Sequence, residues 1–115
     1  MSDKAKISNA LKQGAGTVPI AYGYTKQPKP YIIFNLIDNR GLRLSGQRHS
    51  KSTRWQVDIY SISPKDIDTD ALLTSIQYSL EASRLITSEW IEIAETDAKT
   101  EQTSWRYMLE VLVDG

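Results

Sequence analysis

No cysteine occurs anywhere in this chain, so it has neither a disulfide framework nor thiolate chemistry, a condition that suits a reducing compartment. Long apolar runs are missing as well. None approaches the roughly 20 residues of a membrane span, and the N-terminal residues lack the apolar stretch of a secretory signal. The expectation is a soluble, intracellularly made protein with no membrane partner. Histidine occurs once, as His49, and neither the Walker spacing nor the dinucleotide glycine fingerprint is present. What remains, at 115 residues, fits one domain over residues 1–115 with a single core.

Charge is balanced in number but not in position. Residues 1–57 carry ten Lys/Arg against two acids, and residues 58–115 carry four against twelve. Either the two halves interleave in space and the polarity vanishes on folding, or the molecule has a basic and an acidic side suited to pairing with copies of itself. Complementary faces of that kind steer an encounter and suppress wrong registers.

The organising stretch is residues 52–83. Trp55, Val57 and Ile59 alternate with Gln56, Asp58 and Tyr60, the pattern of a half-buried strand. Ser63-Pro64 ends it, because proline has no N–H to donate. Ile67, Ala71, Leu72, Ile76 and Leu80 then recur at helical spacing, with Asp66, Asp68 and Asp70 near the start, so the main helix is expected over residues 64–83. An N-terminal helix is expected over residues 1–14, capped by Ser2 or Asp3, carrying Ala5, Ile7, Ala10 and Leu11, and ended by Gly14. Residues 18–24, interrupted by Pro19 and Gly23, suggest an edge or irregular strand. Residues 31–38 (YIIFNLID) are apolar on both faces apart from Asn35 and predict a central strand covered on both sides.

Residues 39–53 hold Arg40, Arg43, Arg48, His49 and Lys51, with Arg54 following, and no acid occurs from Asn39 through Val57. This basic stretch is expected to be a long hairpin or a projecting loop whose tip, residues 45–50, is mobile when unpartnered. Two strands close the chain. In the last one Trp105, Tyr107, Leu109, Val111 and Val113 share one face, opposite Arg106, Met108, Glu110 and Leu112. The order α-β-β-β-α-β-β predicts an α+β domain: a mostly antiparallel β-sheet with two helices packed on one face. Trp55, Trp90 and Trp105 are expected as core anchors, with exposure at a subunit contact as the alternative.

Catalytic, cofactor and metal sites find no support. His49 has no neighbouring carboxylate to orient it. Glu92 and Glu95 fall on opposite faces of a strand, and the Asp66, Asp68, Asp70 run lacks the glycine and terminal glutamate of a calcium loop. The basic stretch could meet nucleic acid through phosphate, but it lacks interleaved aromatics for stacking bases and is no recognition helix.

Residues 30–37 (PYIIFNLI), a polar loop, residues 54–61 (RWQVDIYS) and a helix of the DALLTSIQYSLE type (70–81) together resemble the tail terminator or tail completion proteins of long-tailed bacteriophages. Arg54, Gln56, Asp58 and Tyr60 match that group's R-x-Q-x-D-x-Y strand, and the likeness spans residues 18–113. The resemblance implies a structural protein without enzymatic activity or cofactor. It would form a ring, typically a hexamer, or stay monomeric until assembly. Made in the host cytoplasm, it would sit at the head-proximal end of the virion tail, stop tail-tube polymerisation and offer a surface to head connector proteins. Its partners would be copies of itself, the tail tube protein, the connector and, passively, DNA in the channel. Arg40, Arg43, Arg48, His49, Lys51 and Arg54 are then candidates for a subunit interface or the DNA channel. The alternatives are another ring of the head-to-tail junction and, in a different class, a small nucleic-acid-binding module.

Overall fold

The computed structural model describes the backbone of residues 2–44 and 47–114, and the side chains of residues 2–38 and 52–114. Its elements in order are α1 Asp3–Ala15, β1 Ile20–Tyr22, β2 Tyr31–Leu44, β3 Gln47–Ser61, α2 Ala71–Ala82, β4 Ile86–Thr87, β5 Ile91–Thr96 and β6 Thr103–Asp114. The sheet runs β1-β2-β3-β6, and the short β4 and the longer β5 follow one another along the far side of β6. Only β1 and β2 pair in parallel. The α+β class and the element order are as expected, with β4 as an addition.

Alternation decides which face is buried. The register aligns Ile32, Ile59 and Tyr107 in one row and Phe34, Val57 and Leu109 in the next. These residues join Ile7, Leu11, Leu73, Ile76 and Leu80 of the helices in one core. Each such aliphatic side chain contributes about 1.5–3 kcal/mol on burial. Both helices cover this face. The expectation that β2 is covered on both sides is therefore corrected: no described helix lies on the other face. Leu36 and Ile37 stay partly exposed where the β2–β3 register shifts between Leu36 and Asp38, a bulge that accommodates an extra residue.

Two local boundaries differ from the sequence reading, each for a polar reason. The first helix runs on to Ala15 and is capped at Gly16, whose φ of 63° suits glycine. Gly14 instead lies inside the helix, where a Cβ would come within 2.8 Å of the Ser75 carbonyl oxygen, and Ser75 Oγ donates to the Gly14 carbonyl at 2.9 Å. At the other end Ser2 Oγ accepts from the Ala5 amide, as a cap should. The second helix starts at Ala71, not at 64, because the Asp70 carboxylate accepts from the Leu72 and Leu73 amides at 3.0 and 3.1 Å. Upstream, Asp66 folds a turn by accepting from the Asp68 amide. Ile67 thus lies outside the helix. The segment between β3 and α2 is tied down by the buried Tyr107, whose hydroxyl accepts from the Lys65 amide at 2.6 Å and donates to Glu92 at 2.8 Å. Burial, chiefly, with the Glu92 carboxylate, outweighs the Lys65 backbone hydrogen bond and raises the pKa of this phenol above its ordinary value, so it stays protonated.

Of the two forms expected for the basic stretch, the hairpin is the one observed: Arg40 pairs with Ser52, Gly41 with Lys51, Leu42 with Ser50, Arg43 with Arg48 and Leu44 with Gln47. Two chains already antiparallel satisfy their backbone groups by continuing the ladder to its turn. Ser45 and Gly46, the first two residues of the expected mobile tip, lie outside the described residues. Pairing between β3 and β6 stops at Ser52 and Asp114, so the hairpin continues as a two-stranded ribbon, and the molecule measures 57 × 29 × 25 Å.

The halves of opposite charge do not interleave. The basic half supplies α1, β1, β2 and most of β3; the acidic half supplies α2 and, toward the opposite edge of the sheet, β6, β4 and β5. Polarity in the sequence becomes polarity in space.

Gly14→Ala is expected to lower stability by about 1–3 kcal/mol, because the added methyl meets backbone of α2 rather than a movable side chain. Tyr107→Phe is expected to cost about 1–2 kcal/mol by stranding the Lys65 amide. Urea unfolding of the two variants beside the parent checks both.

Candidate functional site

The helix-free face of the sheet is where the molecule leaves unusual side chains uncovered. Its rows follow from the same register: Tyr31, Tyr60, Arg106 and Ile93 form one, and Ile33, Asp58, Met108 and Ile91 the next. Asp58 lies in the middle, only 3% exposed although no helix covers it. Its carboxylate accepts from Gln56 Nε2 at 2.8 Å and from Arg106 Nη1 at 3.3 Å. Burial nonetheless outweighs both partners and holds the carboxyl above the usual carboxylate range.

Aromatic rings shield this pair. Tyr60 stacks on Tyr31 with centroids 4.8 Å apart, and the Arg106 guanidinium lies 5.9 Å from the Tyr60 centroid. The pKa of Tyr31 is pushed above its ordinary value, by burial first and then by Tyr60 and Tyr24. A concavity of about 400 Å³ lies beside the stack, lined by Tyr31, Tyr60, Ile93, Trp105 and Arg106, with Lys29, Glu95 and Ser104 adding polar groups. Toward the sheet edge Ile91 and Ile86 are 52% and 56% exposed. An apolar rim around a satisfied ion pair is the chemistry of a protein contact, with the aromatic and arginine content that such contacts favour. Asp58 is committed to its two partners, and among the described residues no group of three or more His, Cys, Asp or Glu could hold a metal ion. Among the described residues no helix is long and apolar enough to cross a membrane.

Of the six interface or DNA-channel candidates singled out in the sequence, Arg54 alone has a described side chain. It pairs with Glu110 at 3.9 Å, both groups well exposed, an arrangement of small energetic weight. Arg40, Arg43, Arg48, His49 and Lys51 have their backbone in the ribbon, with Arg43 and Arg48 as direct cross-strand partners; their side chains lie outside the described residues. Trp55 and Trp90 are core anchors as expected, and Trp105 is half-buried. Trp55 Nε1 donates to Thr53 Oγ1, which in turn donates to Asp3, so a tryptophan on β3 holds the start of α1.

Sequence reasoning placed Asp58 and Arg106 on outward faces and missed that they meet. The signal was present in weak form: each is a charge set between two large apolar neighbours in mid-strand. Their pairing across 48 residues depended on the register of β3 against β6.

Neither a family model nor a curated protein matches the sequence. Among solved structures, a chain of one described as the virion of a native gene transfer agent (GTA) particle is similar, with a TM-score of 0.50, 10% identity, and 99% of this chain and 96% of that chain covered. At this identity the likeness is one of fold, and it extends over nearly the whole of both chains.

Because Asp58 binds its proton more tightly in the folded chain, its ionisation costs stability, which falls as pH rises from the ordinary carboxylate value through the elevated one. Arg106→Leu removes the compensating charge and widens that window. The expected loss is about 2–3 kcal/mol near pH 7, discounted for the partial exposure of Arg106, and smaller at a more acidic pH, where Asp58 takes up its proton. Urea titrations at both pH values measure the difference.

Proposed function

We propose that this chain is a structural protein of a phage-type virion and, within it, the tail terminator or tail completion protein. In this reading it forms a ring that caps the tail tube and joins it to the head connector. The observation that carries the reading is the end-to-end fold likeness to a chain of the gene transfer agent virion. The strand pattern of Arg54, Gln56, Asp58 and Tyr60, followed by an amphipathic helix and a closing hairpin, supports the narrower role.

Physically, a head-to-tail ring needs two different, complementary patches on every subunit. The basic ribbon side and the acidic α2–β6 side supply two such patches, and the helix-free face adds apolar rim for contact with the tube or connector. A ring of this kind stops tube growth by occupying the last acceptor surface while presenting a different one outward. The cations of the ribbon face a neighbouring subunit or the DNA passage. The role is one of binding and positioning, without enzymatic chemistry.

Light scattering behind size exclusion, over a range of concentration and salt, is expected to show a species of about six chains of 13.0 kDa, or a monomer that assembles when tail tubes are added. Electron microscopy is expected to show it at one end of tubes whose lengthening has ceased. A strict monomer that leaves tube growth unchanged but binds duplex DNA with steep salt dependence overturns this reading in favour of a nucleic-acid-binding module.

A further inference from the structure

The acidic side of the molecule contains a second concavity, separate from the helix-free face. It is a groove of about 580 Å³ between α2 and the segments around Ile67 and Trp90, and its walls include Asp68, Glu81, Glu89 and Tyr78. Among the described residues its lining holds three carboxylates and no Lys or Arg. Tyr78 is 72% exposed, an aromatic face of the kind a guanidinium stacks on. Trp90 forms part of the wall and is only 7% exposed, yet its indole N–H has no hydrogen-bond partner among the described residues. A buried donor left unpaired costs about 1–3 kcal/mol, so a carbonyl acceptor that reaches it as the wall adjusts to an occupant is favoured. Carboxylates, an open aromatic ring and an unsatisfied N–H together suit a cationic polypeptide, and the same walls repel phosphate.

We propose that this groove receives the basic ribbon, residues 40–51, of a second copy of the chain. The ribbon is cationic without interruption: Arg40, Arg43, Arg48 and Lys51 lie in a stretch that has no acid. Its register makes Arg43 and Arg48 cross-strand partners, so the two cations stand at the same level of the ribbon. A chain does not fill its own groove. The ribbon extends past the Ser52–Asp114 end of the sheet, whereas the groove lies beyond β6 at the level where the Ser88 amide bonds to the Glu110 carbonyl and Ile91 pairs with Met108. The end of the ribbon is about ten strand residues away, on the order of 30 Å. Ribbon into the next groove is a heterologous contact, the kind that closes into a ring. The proposal rests on the ring reading and names the contact that builds it.

The test uses two full-length variants. One carries Arg43→Glu and Arg48→Glu, keeps its groove and is labelled with ¹⁵N at tryptophan; the other carries Asp68→Lys and Glu89→Lys, keeps its ribbon and is unlabelled. Asp68 and Glu89 are exposed, and circular dichroism checks that both chains fold; the milder Arg→Gln and Asp→Asn/Glu→Gln versions replace any that does not. Each variant alone is expected to remain monomeric. Their mixture is expected to give a saturable one-to-one dimer, weakened by salt, in which the Trp90 indole resonance, assigned through Trp90→Phe, is displaced. Reversing the ribbon charges of the second chain as well is expected to weaken the dimer on the order of 100-fold. An unmoved Trp90 resonance, or a dimer indifferent to the ribbon charges, overturns the proposal. If the parent and the groove variant both form rings, this contact is wrong and the ring reading stands. If the dimer forms while the parent never caps a tube, the contact stands and the terminator reading falls.

Discussion

Ten successive pairs between β3 and β6, from Ser52 with Asp114 to Ser61 with Trp105, set the positions of nearly everything else in the molecule. Strand side chains alternate strictly, so a slip of one residue would turn one strand over: either Trp55, Val57 and Ile59 would leave the core and Asp58 enter it, or Tyr107 and Leu109 would leave and Arg106 enter. In the observed register those residues form the platform on which both helices pack, and Tyr107 reaches the Lys65 backbone to hold the segment leading into α2. The same register brings Arg106 to Asp58. A buried ion pair is weak support for stability in itself. Its effect here is selective, because a slipped ladder would leave each charge against apolar neighbours.

The helices are two and both lie on one face, which makes the sheet asymmetric. Close approach of α1 and α2 is possible because Gly14 has no side chain where it meets Ser75 and Ile76. The opposite face depends on its own side chains for cover: the Tyr31–Tyr60 stack and Arg106 shield Asp58, while Ile86 and Ile91 stay exposed at the edge. Charge adds a second asymmetry, running across the strands. In the proposed ring these two directions are independent. One lies between neighbouring subunits, through ribbon and groove, and the other faces what the ring binds above or below. Separating them lets a subunit recognise its own copies by charge and its other partners by apolar and aromatic surface.

Much of this was legible in the sequence, and the parts that were have a common origin. Period-two and period-3.6 patterns located the strands and both helices, the buried faces of β3 and β6, and the stripe of Ile7, Ala10 and Leu11 on α1. These patterns arise from local backbone geometry, which neighbouring residues settle among themselves. The segregation of charge and the acid-free stretch were equally visible. What was misread involved competition between local signals. Gly14 and Gly16 both suit a helix end, and the three aspartates from 66 to 70 suit a first helical turn as well as a turn followed by a cap. Helix–helix contact at Gly14 and side-chain acceptance by Asp70 settled these cases.

By itself the sequence determined the element types, the composition of the core and the sign of charge along the chain, because each depends on residues close together. Only the tertiary structure decided that the two charged halves lie side by side, that Asp58 and Arg106 meet, that the basic stretch is a paired ribbon, and that Trp90 forms a groove wall with the carboxylates of α2 and its flanks. Those outcomes turn on which strands are neighbours and in what register, and that choice belongs to contacts between residues far apart in the chain, where no local period reaches.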